Sequence, residues 1–209
     1  MSGLETSAPD SSERVRKGER TRNRILDAAA DVLAREGYAA ATLTDIAAVA
    51  EMRAGSLYYH FDSKDAIVEE VLRVGIDHAR ERICSAVAGE GPGANGHDRL
   101  LAAVSAYTRG LVAESDFTRA NIRCYQEAPR ETRANLRVPL REFANLWVDL
   151  LVGGQKDGSI REDIEPRVVA RMIIAALNSC VQWYSPGGDL GVDDVASMFA
   201  TSLVDGLSS

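Results

Sequence analysis

Between residues 53 and 64 the 209-residue chain carries Arg53, Ser56, Tyr58, Tyr59, His60 and Lys64. Guanidinium, ammonium, hydroxyl and imidazole groups bind phosphate oxygens, and an arginine can also take the O6/N7 edge of a guanine. Aromatic rings among them suit the methyl group of thymine. The set therefore fits contact with double-stranded DNA. The chain as a whole is acidic, with 31 acidic residues against 24 basic ones, a net charge of −7 and a pI near 5.1. That balance excludes coating nucleic acid through bulk charge. Positive charge is instead local: Arg14, Arg16, Lys17, Arg20, Arg22 and Arg24 stand against Glu13 and Glu19, and Arg53 and Lys64 follow. Even so, residues 1–65 hold nine basic and eleven acidic residues, and the rest of the chain carries a net −5. Binding is expected on one face only and with a strong salt dependence.

These residues need elements to hold them. Ile25, Ala29, Val32 and Leu33 recur at helical spacing and predict a helix from about 20 to 36, ended by Gly37. Thr44 is a candidate N-cap for a short helix over 45–50, with residues 51–53 as a turn and 54–60 as a second short helix. Two helices around a tight turn form a helix-turn-helix, whose second helix enters the major groove. Ile46, Ala47, Ala50 and Leu57 supply its small core. Ser63 then caps a long helix over 64–87 with Ile67, Val68, Val71, Leu72, Ile76 and Ile83 on its apolar side.

Further helices are predicted near 98–114, 117–126, 131–153, 166–185 and 192–206, and no segment alternates with period two. The fold class is all-α, with about nine helices. Residues 1–13 read as a disordered tail, residues 14–65 as the DNA-binding domain and 66–209 as a second helical domain. Gly91, Gly93 and Gly96 spell G-x-G-x-x-G, but a long helix precedes them and Pro92 interrupts them. They read as a linker and not as a dinucleotide site.

Other classes find little support. Three histidines, no Glu-x-x-His pairs and no nucleophile elbow leave no catalytic or metal site, and no cofactor is implied. A helical small-molecule-binding protein or a bundle enzyme without DNA binding is the rival reading. Cys84, Cys124 and Cys180 have no C-x-x-C spacing and are expected to be small buried hydrophobes. No apolar run reaches membrane-span length and the N-terminus has no secretory h-region, so a cytoplasmic protein is expected.

Residues 20–72 resemble the N-terminal domain of the TetR (tetracycline-repressor) family of bacterial transcription regulators. The resemblance rests on residues 24–29, Arg-Ile-Leu-Asp-Ala-Ala, on Gly37-Tyr38 and on residues 42–47, Thr-Leu-Thr-Asp-Ile-Ala. Its most specific part is residues 55–61, Gly-Ser-Leu-Tyr-Tyr-His-Phe, followed by Ser63-Lys64. It implies phosphate contacts by Thr44 and Lys64 at helix starts and by Tyr59 and His60 at the end of the recognition helix. Tyr58 would meet a phosphate or a base methyl. Residues 53–56 would form the base-reading edge, with Arg53 as the guanine contact, Ala54 and Gly55 offering only backbone and close approach, and Ser56 completing it. The basic run up to Arg24 resembles the arm that tracks the DNA backbone in some members. One position departs: members usually carry glycine where this chain has Glu51, and glycine relieves a positive φ there.

The resemblance also implies a ligand-responsive regulator, most simply a repressor. It would bind a palindromic operator as a homodimer through its last two helices, 166–185 and 192–206, and a small molecule would release it. The segment 168–184 is apolar nearly all round, which calls for burial on two sides. Polar or aromatic groups on apolar faces give the candidate pocket: Tyr107, Tyr125, Trp147, Asn178, Gln182 and Trp183, with Arg119 and Arg123 as anion partners. They suggest an apolar or aromatic effector.

Overall fold

The first helix, α1 (Ser11–Glu36), begins well before the apolar periodicity does. Its first turns, Ser11 to Arg20, hold no proline and are mostly Ser, Glu, Arg and Lys, with Val15 and Gly18 among them, and charged helix formers of this kind extend a helix that packing has already nucleated. This computed structural model describes residues 11–185 and 187–208. The predicted tail thus lies outside the described residues up to residue 10, and Ser11 to Glu13 are helical. Gly37, at φ 84°, closes α1, and its N–H donates to the Leu33 carbonyl at 3.0 Å.

The helix-turn-helix follows as α2 (Leu43–Val49) and α3 (Ala54–Leu57). Thr42, not Thr44, is the N-cap. Its Oγ1 accepts from the Asp45 N–H at 3.2 Å, and the Asp45 carboxylate accepts from the Thr42 N–H at 3.1 Å. The reciprocal pair is a capping box, which a lone Thr44 cannot build. Thr44 lies exposed within the first turn. Recognition helix α3 is shorter than expected. After Leu57 the chain continues as turns, with the His60 and Phe61 N–H groups donating to the Leu57 carbonyl at 2.9 and 3.0 Å. Ile46, Ala47, Ala50, Leu57 and Phe61 are all buried, as the sequence pattern requires.

Glu51 sits at φ 52°, the one non-glycine residue with positive φ among those described. The turn therefore keeps the left-handed conformation that glycine would adopt without steric cost. A side chain there costs ~1–2 kcal/mol, offset by the ~0.5–1 kcal/mol of chain entropy that a glycine loses on folding. Glu51→Gly should stabilise the protein by about 0.5–1 kcal/mol, raising the melting temperature by roughly 1–4 °C in a calorimetric scan. An unchanged or lower midpoint would show that the turn relaxes around Glu51.

Helix α4 (Lys64–Gly89) is continuous and buries the predicted stripe of Ile67, Val68, Val71, Leu72, Ile76 and Ile83. The glycine-rich segment after it is a turn. Asn95 caps α5 (Gly96–Arg109), which runs on as a π-helical turn over Gly110–Glu114. Among the described residues no strand precedes these glycines, which agrees with the linker reading. Then come α6 (Asp116–Cys124), α7 (Arg130–Asn135) and α8 (Arg137–Asp157). The expected single helix over 131–153 breaks at Leu136 because Pro139 is tolerated only in a first turn, where its missing N–H has no partner to lose. At the other end α8 passes through Gly153-Gly154 and stops at Gly158, φ 77°. Gly96 packs so closely on α8 that a Cβ there would overlap the Cα of Gly154, and a Cβ on Gly154 would itself overlap Ile160 Cγ1.

The expected helix over 166–185 likewise divides at Ser179 into α9 (Pro166–Asn178) and α10 (Cys180–Trp183), and α11 (Val192–Val204) ends the bundle. Ser179 Oγ donates to the Ala176 carbonyl at 2.6 Å, a local bond that competes with helix continuation. Cys124 and Cys180 are buried, and burial pushes each thiol up to about 11, so neither is reactive. Cys84 departs from expectation and is exposed. No helix among the described residues is long and apolar enough to cross a membrane.

Candidate nucleic-acid interface and effector cavity

The buried core beneath α2 and α3 pushes the remaining side chains outward. Tyr59 is 89% exposed and Tyr58 59%, values far above those usual for aromatic rings in a monomeric fold. Arg53 and Gly55 are exposed, and Ala54, Ser56 and His60 half-buried. Arg53 occupies the N-cap position of α3 and makes no capping bond, so its guanidinium is not committed to the fold. The structure thus brings the predicted residues 53–60 to one short segment.

Lys64 is more constrained. Its Nζ donates to the Tyr38 carbonyl at 2.6 Å and lies 4.5 Å from the Tyr38 ring centroid. An ammonium has three donors, so this bond anchors the side chain and leaves others for a phosphate. The Tyr38 hydroxyl donates to Asp65 at 2.8 Å, and burial together with that bond pushes it up to about 12. Within the basic run, Arg16, Lys17, Arg20 and Arg24 are exposed. The Arg14 side chain lies outside the described residues. Arg22 departs from the backbone-tracking expectation: it turns inward, onto Glu70, the His60 carbonyl and the Phe61 ring.

A cavity of about 160 Å³ lies between α4, α5, α6, α8 and α9. Gly75, Ile76 and Ala79 line it from α4, Tyr107 from α5, and Thr118, Asn121 and Ile122 from α6. Leu140, Phe143 and Ala144 of α8 and Ile174 and Asn178 of α9 complete it. The wall is apolar with a few polar groups, the usual make-up of a small-molecule site. Tyr107 donates its hydroxyl to Asn178 Oδ1 at 2.8 Å, and burial raises its pKa far above the usual phenol value. Asn121 Nδ2 donates to the Leu72 carbonyl at 2.8 Å. Among the described residues the Asn178 amide N–H groups and Asn121 Oδ1 have no hydrogen-bond partner, which leaves a donor and an acceptor at an apolar wall. Leu140 also borders an open cleft lined by Tyr125, Ala134, Arg137, Val138 and Arg141.

Of the six pocket residues predicted, Tyr107 and Asn178 meet in the cavity and Tyr125 lines the adjoining cleft. The other three do not line the cavity. Trp147 is wholly buried behind the wall, its ring 5.8 Å from that of Tyr107, and its indole N–H has no acceptor among the described residues. Gln182 is exposed, and Trp183 is half exposed and stacked on Phe199. Ser179 separates both from α9, which carries Asn178. Arg119 and Arg123 are engaged within the protein: Arg119 pairs with Asp116, and Arg123 donates to the Ala34 carbonyl at 3.1 Å. Sequence reasoning missed Thr118 and Asn121, because small polar residues on a short amphipathic helix look the same whether they face solvent or a cavity.

A family profile described as bacterial regulatory proteins of the tetR family matches residues 25–71, and one described as a tetracyclin repressor-like C-terminal domain matches residues 93–207. The chain belongs to the TetR family: it is a DNA-binding transcription regulator and not an enzyme. It is 35% identical over 193 residues, spanning 90% of this chain and 91% of the relative, to the HTH-type transcriptional repressor KstR2 of Rhodococcus jostii. The solved structure of the ketosteroid transcriptional regulator KstR2 of Mycobacterium tuberculosis superposes with a TM-score of 0.74 at 29% identity, covering 90% of this chain and 95% of that one. AibR, solved in complex with isovaleryl coenzyme A and operator DNA, shares the fold with a TM-score of 0.77 at 22% identity, over 88% of this chain and 98% of that one.

Proposed function

We propose that the chain is a homodimeric repressor that binds a palindromic operator through α3 and leaves it when a small amphipathic molecule fills the cavity. The observation that carries this is α4. One uninterrupted helix begins at Lys64, beside the exposed recognition segment, and supplies Gly75, Ile76 and Ala79 to the cavity wall. A ligand that favours one placement of α4 over another changes the spacing of the two recognition helices, and operator affinity falls by the difference in its binding energy to the two states. In this reading residues 14–65 bind DNA in the cytoplasm and residues 66–209 sense and dimerise. Arg53, Ala54, Gly55 and Ser56 face the bases, while Thr44, Tyr58, Tyr59, His60 and Lys64 face the backbone.

Dimerisation is assigned to α9 and α11. Val168 and Met172, one turn apart, are 52% and 64% exposed on α9, and Met198 is 52% exposed on α11. Large apolar residues left in water on the final helices suit a two-fold contact. For the effector, the free Asn178 and Asn121 groups suit a ketone or hydroxyl on an apolar ring or chain. Arg137 and Arg141, one turn apart at the adjoining cleft, suit an anionic extension. The M. tuberculosis relative is described as a ketosteroid transcriptional regulator, which agrees with an apolar ring ketone.

The test is release of bound DNA by ring ketones carrying a carboxylate, followed by fluorescence anisotropy. At least one such compound should lower DNA affinity at least fivefold, a typical allosteric coupling, and Asn178→Leu should abolish that response while leaving ligand-free DNA binding intact. Release by polar or cationic compounds only, or full response in Asn178→Leu, would overturn the assignment.

A further inference from the structure

The inward-turned Arg22 makes a joint between three elements. From α1 its Nη1 donates to the His60 carbonyl at 2.7 Å, at the end of the recognition segment. Its Nε donates to Glu70 Oε1 on α4 at 3.2 Å, and its Nη2 pairs with the other Glu70 oxygen. The guanidinium carbon lies 4.1 Å from the centroid of the Phe61 ring. A planar guanidinium has donors in a fixed fork, so satisfying a bidentate carboxylate and a carbonyl together sets the relative placement of all three partners. A lysine could reach one of them at a time.

The position of this joint gives it a role. The segment whose carbonyl it holds ends in Tyr59 and His60, the proposed phosphate contacts. Glu70 lies five positions before Gly75 on α4, roughly 7.5 Å at the helical rise, so the joint is adjacent to the cavity wall on the same rigid helix. Glu70 is also acidic and close to the DNA-binding face, where electrostatics alone would disfavour it.

We propose that Arg22 and Glu70 are positioning residues for operator binding: together they lock the end of the recognition segment to α4, and Arg22 is not a phosphate contact of the basic arm. The proposal rests on the DNA-binding reading above and deepens it by naming the link between the two parts. It has a consequence that charge alone does not. Removing the negative charge at Glu70 weakens DNA binding.

The experiment compares wild type, Arg22→Gln, Glu70→Gln and the double variant on a fragment that wild-type protein retains from sheared genomic DNA of its source, over 50 to 200 mM salt. Both single variants should bind roughly tenfold more weakly. The double variant should be no weaker than either, because the three describe one broken joint. The slope of log affinity against log salt should stay at the wild-type value, since no phosphate contact is lost. Thermal melting run alongside separates positioning from general destabilisation: all variants should remain folded at the assay temperature. The proposal is overturned if Glu70→Gln binds as well as wild type or better. It is also overturned if Arg22→Gln alone weakens binding with a slope reduced by ~0.9, the signature of one lost phosphate contact. If the wild-type protein retains no fragment even at 50 mM salt, the DNA-binding reading fails and this proposal fails with it.

Discussion

Gly75→Ala will cost about 2–3 kcal/mol and lower the melting temperature by roughly 5–10 °C. Gly75 lies where α4 and α6 cross. An alanine methyl built there would overlap the carbonyl oxygen of Phe117 and sit 2.8 Å from its carbonyl carbon. These are backbone atoms, so no side-chain rotation relieves the overlap and the two helices must separate. Separation also stretches the bond from Asn121 to the Leu72 carbonyl and the bond from Thr118 Oγ1 to the Gly75 carbonyl, 3.4 Å in the native arrangement. The variant should therefore lose effector response as well as stability. Gly153→Ala is the control. An added methyl there meets nothing within 4 Å, and alanine within a helix is favoured over glycine by ~1 kcal/mol, so that variant should be as stable as wild type or more so. A Gly75→Ala protein as stable as wild type would mean that the helices do not approach as closely as described.

Arg53→Ala will lower affinity for the preferred operator by about 1–3 kcal/mol, roughly 5- to 150-fold, and will do so by relaxing preference at one base position. Arg53 is exposed, makes no cap bond and has no partner that folding requires, so stability should move by no more than about 0.5 kcal/mol. Competitive binding to a set of single-base variants of the operator measures this directly. Loss confined to sites with guanine at one position supports the assignment. Uniform weakening on every sequence, with a flatter salt slope, would make Arg53 a phosphate contact instead.

What the sequence made legible follows from which interactions are local. The helix-turn-helix was readable because its core, Ile46, Ala47, Ala50 and Leu57, is spaced within a few turns, and because the run from Gly55 to Phe61 is specific to a family. At Glu51 the family comparison only raised the question of a positive φ, since a glutamate stands where members usually carry glycine, and the turn keeps that conformation at φ 52°. Caps were harder: choosing between Thr42 and Thr44 depends on which one meets Asp45 reciprocally, and both lie near it in sequence. The cavity was hardest. It is made by five helices, and whether Trp147 lines it or stands behind it depends on how α8 is rotated against α5. The break at Ser179, before Gln182 and Trp183, coincides with a local bond from the Ser179 hydroxyl to the Ala176 carbonyl. Arg22 shows the same limit, since a basic residue in a basic run carries no mark that its partners, Glu70 and the His60 carbonyl, lie 48 and 38 positions away.

The most direct measurement is selection of sheared genomic DNA by the purified protein, with footprinting of what is retained. The account predicts protected sites with two-fold symmetry and half-sites about one helical turn apart, 10–10.5 base pairs centre to centre or a multiple of it. Retention should fall steeply between 50 and 200 mM salt, by roughly a thousandfold or more for a dimer contacting six or more phosphates. Retention of no fragment at low salt, or protection of sites without two-fold symmetry, would contradict it.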